Sequence, residues 1–256
     1  MGEIVSHKYD GALLSYGAGV NSTAMAIMLI NEGWRGPILF ADTGCEWPET
    51  YCFMECFEEE WLRPRGMSIV QIGNDWRPPN MRKSLVPYCQ DHRCFPLAAM
   101  RWCTSGYKAR PIARWAKEHR IVRQLIGIAA DESHRQRGAI YPLVDMGIDR
   151  KGCIRIIESE DLPVPRKSGC YICPFQGKTQ WHELWKQHPE LFAAAEALEA
   201  NAQRKSDNPN RFRLTIDPSG RWTLAELRAS FERQLPLFDD TEMDDLLAYK
   251  PCVCGL

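Results

Sequence analysis

The chain has no apolar run approaching the roughly 20 residues that cross a bilayer as a helix, which excludes a helical membrane protein. Its first ten residues, Met1 to Asp10, are polar and hold no apolar core of a secretory signal, so the expected location is the cytoplasm. Net charge is nearly absent as well: 32 Lys and Arg against 33 Asp and Glu leave −1 at neutral pH. That balance argues against blanket electrostatic binding to nucleic acid and says nothing of local patches. No segment repeats another. Cysteine is in excess: there are eleven, many for a compartment that disfavours disulfides, and an odd number cannot pair completely.

With 256 residues, 45% hydrophobic and 25% charged, the composition is that of a globular protein with one good-sized domain and a small appendage. The stretch that organises the rest runs from Gly11 to Thr23. Gly11 to Leu14 reads as a short buried strand, Gly17-Ala18-Gly19 as a turn of small residues, and Ser22 to Leu29 as a helix with Ser22 and Thr23 as caps. A strand, a small-residue turn and a helix N-terminus together can hold an anion, because amides point outward and the helix dipole adds partial positive charge. The plain alternative is a tight turn. Residues 17–22 lack the Gly-Lys-Ser/Thr ending of a Walker loop, and Ala24-Met25 offer no third glycine for a dinucleotide fingerprint.

Along the chain, further strands are expected at Ile38–Ala41, Met67–Ile72, Gln124–Ala129 and Tyr141–Val144. Helices are expected from Pro48 to about Trp61 and from Gly147 to Glu158. Residues 74–96 read as a long loop, functional or mobile. Seven Lys or Arg stand against one acid between Arg101 and Arg123. Such a run is either a solvated helix face or, beside the anion turn, a phosphate wall. Polar clusters close the predicted strands: residues 15–22, Asp42-Thr43 and Asp131-Glu132-Ser133-His134-Arg135. Alternation of strands and helices predicts a mostly parallel sheet whose ligands sit at the strand C-terminal ends. Beyond residue 176, two helices broken near His188-Pro189, a small hairpin within Phe212–Trp222 and a last helix capped by Thr223 are expected.

Gly17-Ala18-Gly19-Val20-Asn21-Ser22 resembles the Ser-Gly-Gly-x-Asp-Ser loop of the PP-loop ATP pyrophosphatases and their relatives, the sulfonucleotide reductases. It departs at Gly17, Ala18 and Asn21. Asp42-Thr43-Gly44 with Pro48-Glu49-Thr50-Tyr51, Cys103-Thr104 with Tyr107-Lys108 and Pro111, and Glu132-Ser133 with Arg135 resemble three further segments of that family, in the same order. The resemblance covers about residues 11 to 176. It implies an α/β fold of the adenine nucleotide alpha-hydrolase-like type, a mostly parallel five-stranded sheet with flanking helices. Residues 1–176 then form the nucleotide-binding domain of the phosphoadenylyl-sulfate (PAPS) reductase group, and residues 177–256 a helical extension with a cysteine-containing tail. The nucleotide contacts it implies are Ser15, Gly17, Ala18, Gly19, Val20, Asn21, Ser22, Asp42, Thr43, Glu132 and Ser133. Lys108 and Arg135 would neutralise phosphate charge.

Cys170-Tyr171-Ile172-Cys173-Pro174 is a metal or redox motif, with Cys103 as a distant third thiol. Three thiolates suit zinc or an iron–sulfur cluster, but the second short cysteine pair of a structural zinc site is missing. The resemblance favours a [4Fe–4S] cluster on Cys103, Cys170 and Cys173, with Cys94 or Cys254 as candidate fourth ligand. Cys254-Gly255-Leu256 resembles the tail whose cysteine attacks the sulfonucleotide in the reductases, although Val253 replaces a Glu and no His follows. Two activities therefore follow from the resemblance. One is an ATP-cleaving sulfurtransferase, with Mg2+, that adenylates a nucleic-acid or other acceptor and replaces oxygen by sulfur from a donor protein. The other is a PAPS or APS reductase with Cys254 as nucleophile and a thiol reductant as partner. A nucleotide-gated iron–sulfur sensor is the non-enzymatic reading.

Overall fold

The computed structural model describes residues 8–208, 214–217 and 220–233. Four strands make one parallel sheet: β1 (Ala12–Tyr16), β2 (Ile38–Ala41), β3 (Ile69–Ile72) and β4 (Arg123–Ile126), in spatial order β3-β2-β1-β4. Leu14 pairs with Ile38 on one side and with Leu125 on the other, so β1 is central. The side chains alternate as a strand requires. Ala12, Leu14, Tyr16, Ile38 and Phe40 enter one core, and Leu13, Leu39 and Ala41 enter the core on the opposite face.

The first core lies under α1 (Val20–Asn31) and α2 (Pro48–Cys56), with Pro48 at the start of the helix, where its missing N–H costs nothing. The chain continues from α2 as a π-helical turn, Phe57–Leu62, in which Phe57 stacks between Phe53 and Trp61. On the opposite face lie Ile112 and Trp115.

Residues 74–96 are not an open loop. They form helical turns at Asn74–Trp76 and Pro79–Met81, followed by α3 (Leu85–His92). The organiser is Arg77, 2% exposed. Its guanidinium donates to Asn74 Oδ1 at 2.6 Å, to the Lys83 carbonyl at 2.7 Å and to the Asp42 carbonyl, and it stacks on Tyr107. Periodicity cannot reveal a segment wound around one buried cation.

Helix α4 (Arg110–Glu118) carries those Ile112 and Trp115 side chains, and α5 (Arg150–Glu158) packs on α1. The expected fifth strand is a correction. Ile140 makes a single bridge to Leu125, and Pro142 then opens a helical turn, Pro142–Asp145. Proline lacks the N–H that a ladder needs and presets a helical φ. After residue 176 the expected elements form: α6 (Lys178–Gln187), α7 (Pro189–Gln203), the antiparallel pair β5 (Leu214–Asp217) and β6 (Gly220–Trp222), and α8 (Leu224–Glu232). Thr223 Oγ1 accepts from Glu226 N–H at 3.2 Å and Glu226 Oε2 accepts from Thr223 N–H at 2.8 Å, a reciprocal helix cap. These helices share a core with Leu85, Cys89, Phe95 and Tyr107, so packing crosses residue 176. Among the described residues no helix is long and apolar enough to cross a membrane.

Leu14 is fully buried in the central strand. Leu14→Ala is expected to lower unfolding free energy by about 2–5 kcal/mol, read as a reduced urea midpoint at unchanged slope.

Candidate functional site

The turn from β1 into α1 is pinched from two sides. A Cβ on Gly127, just past β4, would lie 2.8 Å from Ser22 N and 2.9 Å from the Asn21 carbonyl carbon, so backbone meets backbone there. A Cβ on Gly19 would lie 2.7 Å from Ser168 Oγ. Helix α1 starts at Val20, two residues before the position expected from sequence, and Ser22 occupies its third position. The Ser22 hydroxyl accepts from Gly17 and Gly19 N–H at 3.2 and 3.3 Å and donates to the Gly19 carbonyl at 3.0 Å. It shapes the turn from inside, while the first-turn amides of Val20, Asn21 and Ser22 have no intrahelical acceptor. Ala18 adopts φ 52°, a left-handed backbone that explains why glycine is the common residue at such a position.

Asn21 joins this turn to the segment after β4. Its amide donates to Glu132 Oε2 at 3.0 Å and its carbonyl accepts from Arg150 Nη1 at 2.9 Å. Arg135 Nη1 binds Glu132 Oε1 at 2.7 Å. Glu132 is buried and Ser133 exposed. Arg150 was not legible as a site residue in sequence: it opens a helix like any surface arginine.

The end of β2 builds the second half. Asp42 accepts from Gly44 N–H at 2.8 Å, Tyr51 OH at 2.7 Å and Gln71 Nε2 at 3.1 Å, so its carboxylate is spent on local structure. Ser15, inside β1, accepts from Gln124 Nε2 at 2.6 Å.

Thr43 turns inward. Its hydroxyl donates to Glu46 Oε1 at 3.0 Å, and the Cys45 and Cys170 thiols reach its oxygen at 3.4 and 3.2 Å. The one hydroxyl proton goes to the carboxylate, and the Cys170 thiol lies 3.6 Å from the same Glu46 Oε1 as a further donor to it. Glu46 Oε1 also meets Lys108 Nζ at 3.1 Å, with side-chain exposures of 1% and 21%. Glu46 and Cys170 form a backbone bridge as well, which seats the Cys-x-x-Cys segment against β2's end. Cys45 is buried, as its place near an aromatic-rich helix suggests, but Glu46 is not legible from sequence: nothing marks it as buried.

Burial, with the Cys170 hydrogen bond adding to it, pushes the Cys45 thiol well up. Burial, with the nearby Cys170 charge, raises the Cys103 thiol. Cys173 and Cys103 lie at the edge of the core that holds Cys45, Cys89 and Cys170. Among the described residues no group of three or more His, Cys, Asp or Glu side chains converges on one ion position. Cys254 lies outside the described residues. The structure therefore brings the phosphate-type turn together with Glu132 and Arg135, and Thr43 together with Lys108 and Cys170. Lys108 and Arg135 belong to separate networks.

A parallel sheet covered on both faces, with a small-residue turn into a helix and several cysteines near its strand ends, defines the class as an α/β protein. The model of the phosphoadenosine phosphosulfate reductase domain matches residues 11–156, and the chain belongs to that family, within the adenine nucleotide alpha-hydrolase-like superfamily. The PAPS reductase from Candida auris, crystallised as a phosphate complex, is similar at 15% identity and a TM-score of 0.47, over 64% of this chain and 81% of that one. No curated protein matches.

Glu46→Ala removes the carboxylate that pairs with Lys108 and accepts from Thr43 and Cys170. It is expected to cost about 3 kcal/mol of stability by urea unfolding, whereas Glu46→Gln, which can still accept from both donors, should lose clearly less.

Proposed function

We propose that this protein is an adenine-nucleotide-dependent sulfur enzyme of the ATP pyrophosphatase type, which activates an acceptor with ATP and replaces oxygen by sulfur. The observation that carries the reading is the contact of Gly19 with Ser168, two residues before Cys170. That approach supports a turn that would hold phosphate beside a sulfur-bearing segment, as a reaction joining phosphate chemistry to sulfur requires. The amides of Val20, Asn21 and Ser22 would receive the phosphates, with Gly17, Ala18 and Gly19 giving close approach. Arg135, oriented by Glu132, would oppose charge developing on the leaving pyrophosphate. Lys108, held by Glu46, lies on the thiol side, where it would offset negative charge on Cys103 or Cys170. Mg2+ would accompany ATP.

The donor set of Cys103, Cys170 and Cys173 fits a [4Fe–4S] cluster better than a lone ion. Cys170 is buried in the core that the half-buried Cys103 and Cys173 border, and thiolates on one apolar edge would suit a cluster. When bound, a cluster held by three thiolates supplies an iron open to a sulfur ligand. Cys94 or Cys254 would be the fourth ligand if one is used. We further propose that residues 1–176 act as the nucleotide-binding unit with 177–256 as its extension, in the cytoplasm. The acceptor is a nucleic acid or another oxygen nucleophile, and the sulfur donor is a separate protein.

The reductase reading rests on the family itself, with Cys254 as nucleophile on PAPS or APS and a thiol protein as reductant. Anaerobic protein should contain about four irons per chain and release pyrophosphate from ATP. Gly19→Ala, which drives a methyl onto Ser168, should abolish that release and nucleotide binding by calorimetry. Sulfite from PAPS with no pyrophosphate from ATP would select the reductase. Stoichiometric zinc would overturn the cluster.

A further inference from the structure

Cys89 takes no part in the site above, and Cys94 enters it only as a candidate ligand. The two are brought face to face by the way α3 ends. Cys94 N–H binds the Cys89 carbonyl at 3.0 Å and Arg93 N–H binds the Gln90 carbonyl at 3.3 Å, with Arg93 left-handed at φ 47° and ψ 59°. This pairing of a six-to-one and a five-to-two hydrogen bond is the Schellman helix end, which puts the side chains at its two ends in contact. That contact is usually apolar. Here the two positions are the thiols of Cys89 and Cys94.

The turn is clamped from α7. Asn201 Nδ2 donates to the Gln90 carbonyl at 3.3 Å and Lys205 Nζ to the His92 carbonyl at 3.1 Å. A left-handed arginine is disfavoured relative to a right-handed one, so the packing holds a close approach that the local sequence does not favour. A disulfide needs Cα atoms roughly 4.4–6.8 Å apart, and the six-to-one hydrogen bond draws the two ends of the turn toward each other. The partners are also unequal: Cys89 is fully buried and Cys94 partly open. One accessible thiol backed by one enclosed thiol is the arrangement of an attacking and a resolving cysteine. Cys89 belongs to the core that holds Cys170, and Cys94 borders it as Cys103 does.

We propose that Cys89 and Cys94 are a redox-active dithiol that reduces a disulfide presented at this face. Cys94, as thiolate after losing its proton to solvent, attacks one sulfur of the disulfide. The S–S bond breaks, and the first thiolate leaves and takes up a proton. Cys89, deprotonated in turn, attacks Cys94 Sγ, the mixed disulfide breaks, and the second thiol leaves. Two cysteine thiols are oxidised to the Cys89–Cys94 disulfide and one substrate disulfide is reduced to two thiols, with two electrons passed and protons conserved.

The chemistry is independent of which nucleotide binds, and its test reads thiols only. Reduced full-length protein, purified without oxygen, is exposed to oxidised glutathione, quenched with an alkylating reagent and digested with trypsin. Cleavage after Lys83, Arg93 and Arg101 puts each thiol on its own peptide, residues 84–93 and 94–101. The two peptides are expected joined by a disulfide, while Cys89→Ser should leave one glutathione on Cys94. Recovery of both peptides separately alkylated from the unmutated protein, or a lasting glutathione adduct on its Cys94, overturns the proposal. The unmutated map decides alone if Cys89→Ser does not fold.

Discussion

One buried carboxylate ties the two halves of this molecule together. Glu46 accepts from Thr43 at the end of β2 and from Lys108 at the entry to α4, and its backbone bridges Cys170. Each partner comes from a different part of the chain. A charge this deeply enclosed is tolerable only when its counter-ion and donors are all present. Folding the sheet without seating the Cys-x-x-Cys segment would leave the carboxylate short of partners. The same group that stabilises the junction therefore decides that cysteines distant in sequence lie beside the strand ends.

A second constraint is steric. The turn from β1 into α1 is bounded by backbone at Gly127, which leaves no room for a methyl group, and by the Ser168 hydroxyl at Gly19. Close packing of this kind keeps first-turn amides aimed in fixed directions, which the proposed phosphate site would need if it is not to reorganise on binding. The Asn21 amide extends this rigidity sideways, since it both donates to Glu132 and accepts from Arg150. An aspartate there could not donate to Glu132, so the departure from the family loop has a local physical use.

Arg77 plays the corresponding part for residues 74–96. Burial lowers its guanidinium pKa, yet the carbonyls of Asp42 and Lys83 and the Tyr107 ring surround it. A segment rich in proline and charge thus becomes ordered and delivers α3, with Cys89 and Cys94, to the sulfur-bearing edge.

The central strand, the small-residue turn, the order of the polar segments and the Cys-x-x-Cys motif were legible from residue types alone, because each is local: period-two burial, helix-start chemistry and ligand spacing act within a few positions. The family followed from the same segments. What only the tertiary structure decided were the interactions that join distant residues. Nothing near Glu46 marks it as buried, and nothing near Arg150 marks it as an Asn21 partner. Tyr141–Val144 has strand-forming residues, yet Pro142 withholds the ladder's donor and the chain turns helical. Residues 74–96 lack periodicity because their order comes from one cation and not from a repeating face. Local chemistry named the parts; burial and long-range pairing chose which of them would meet.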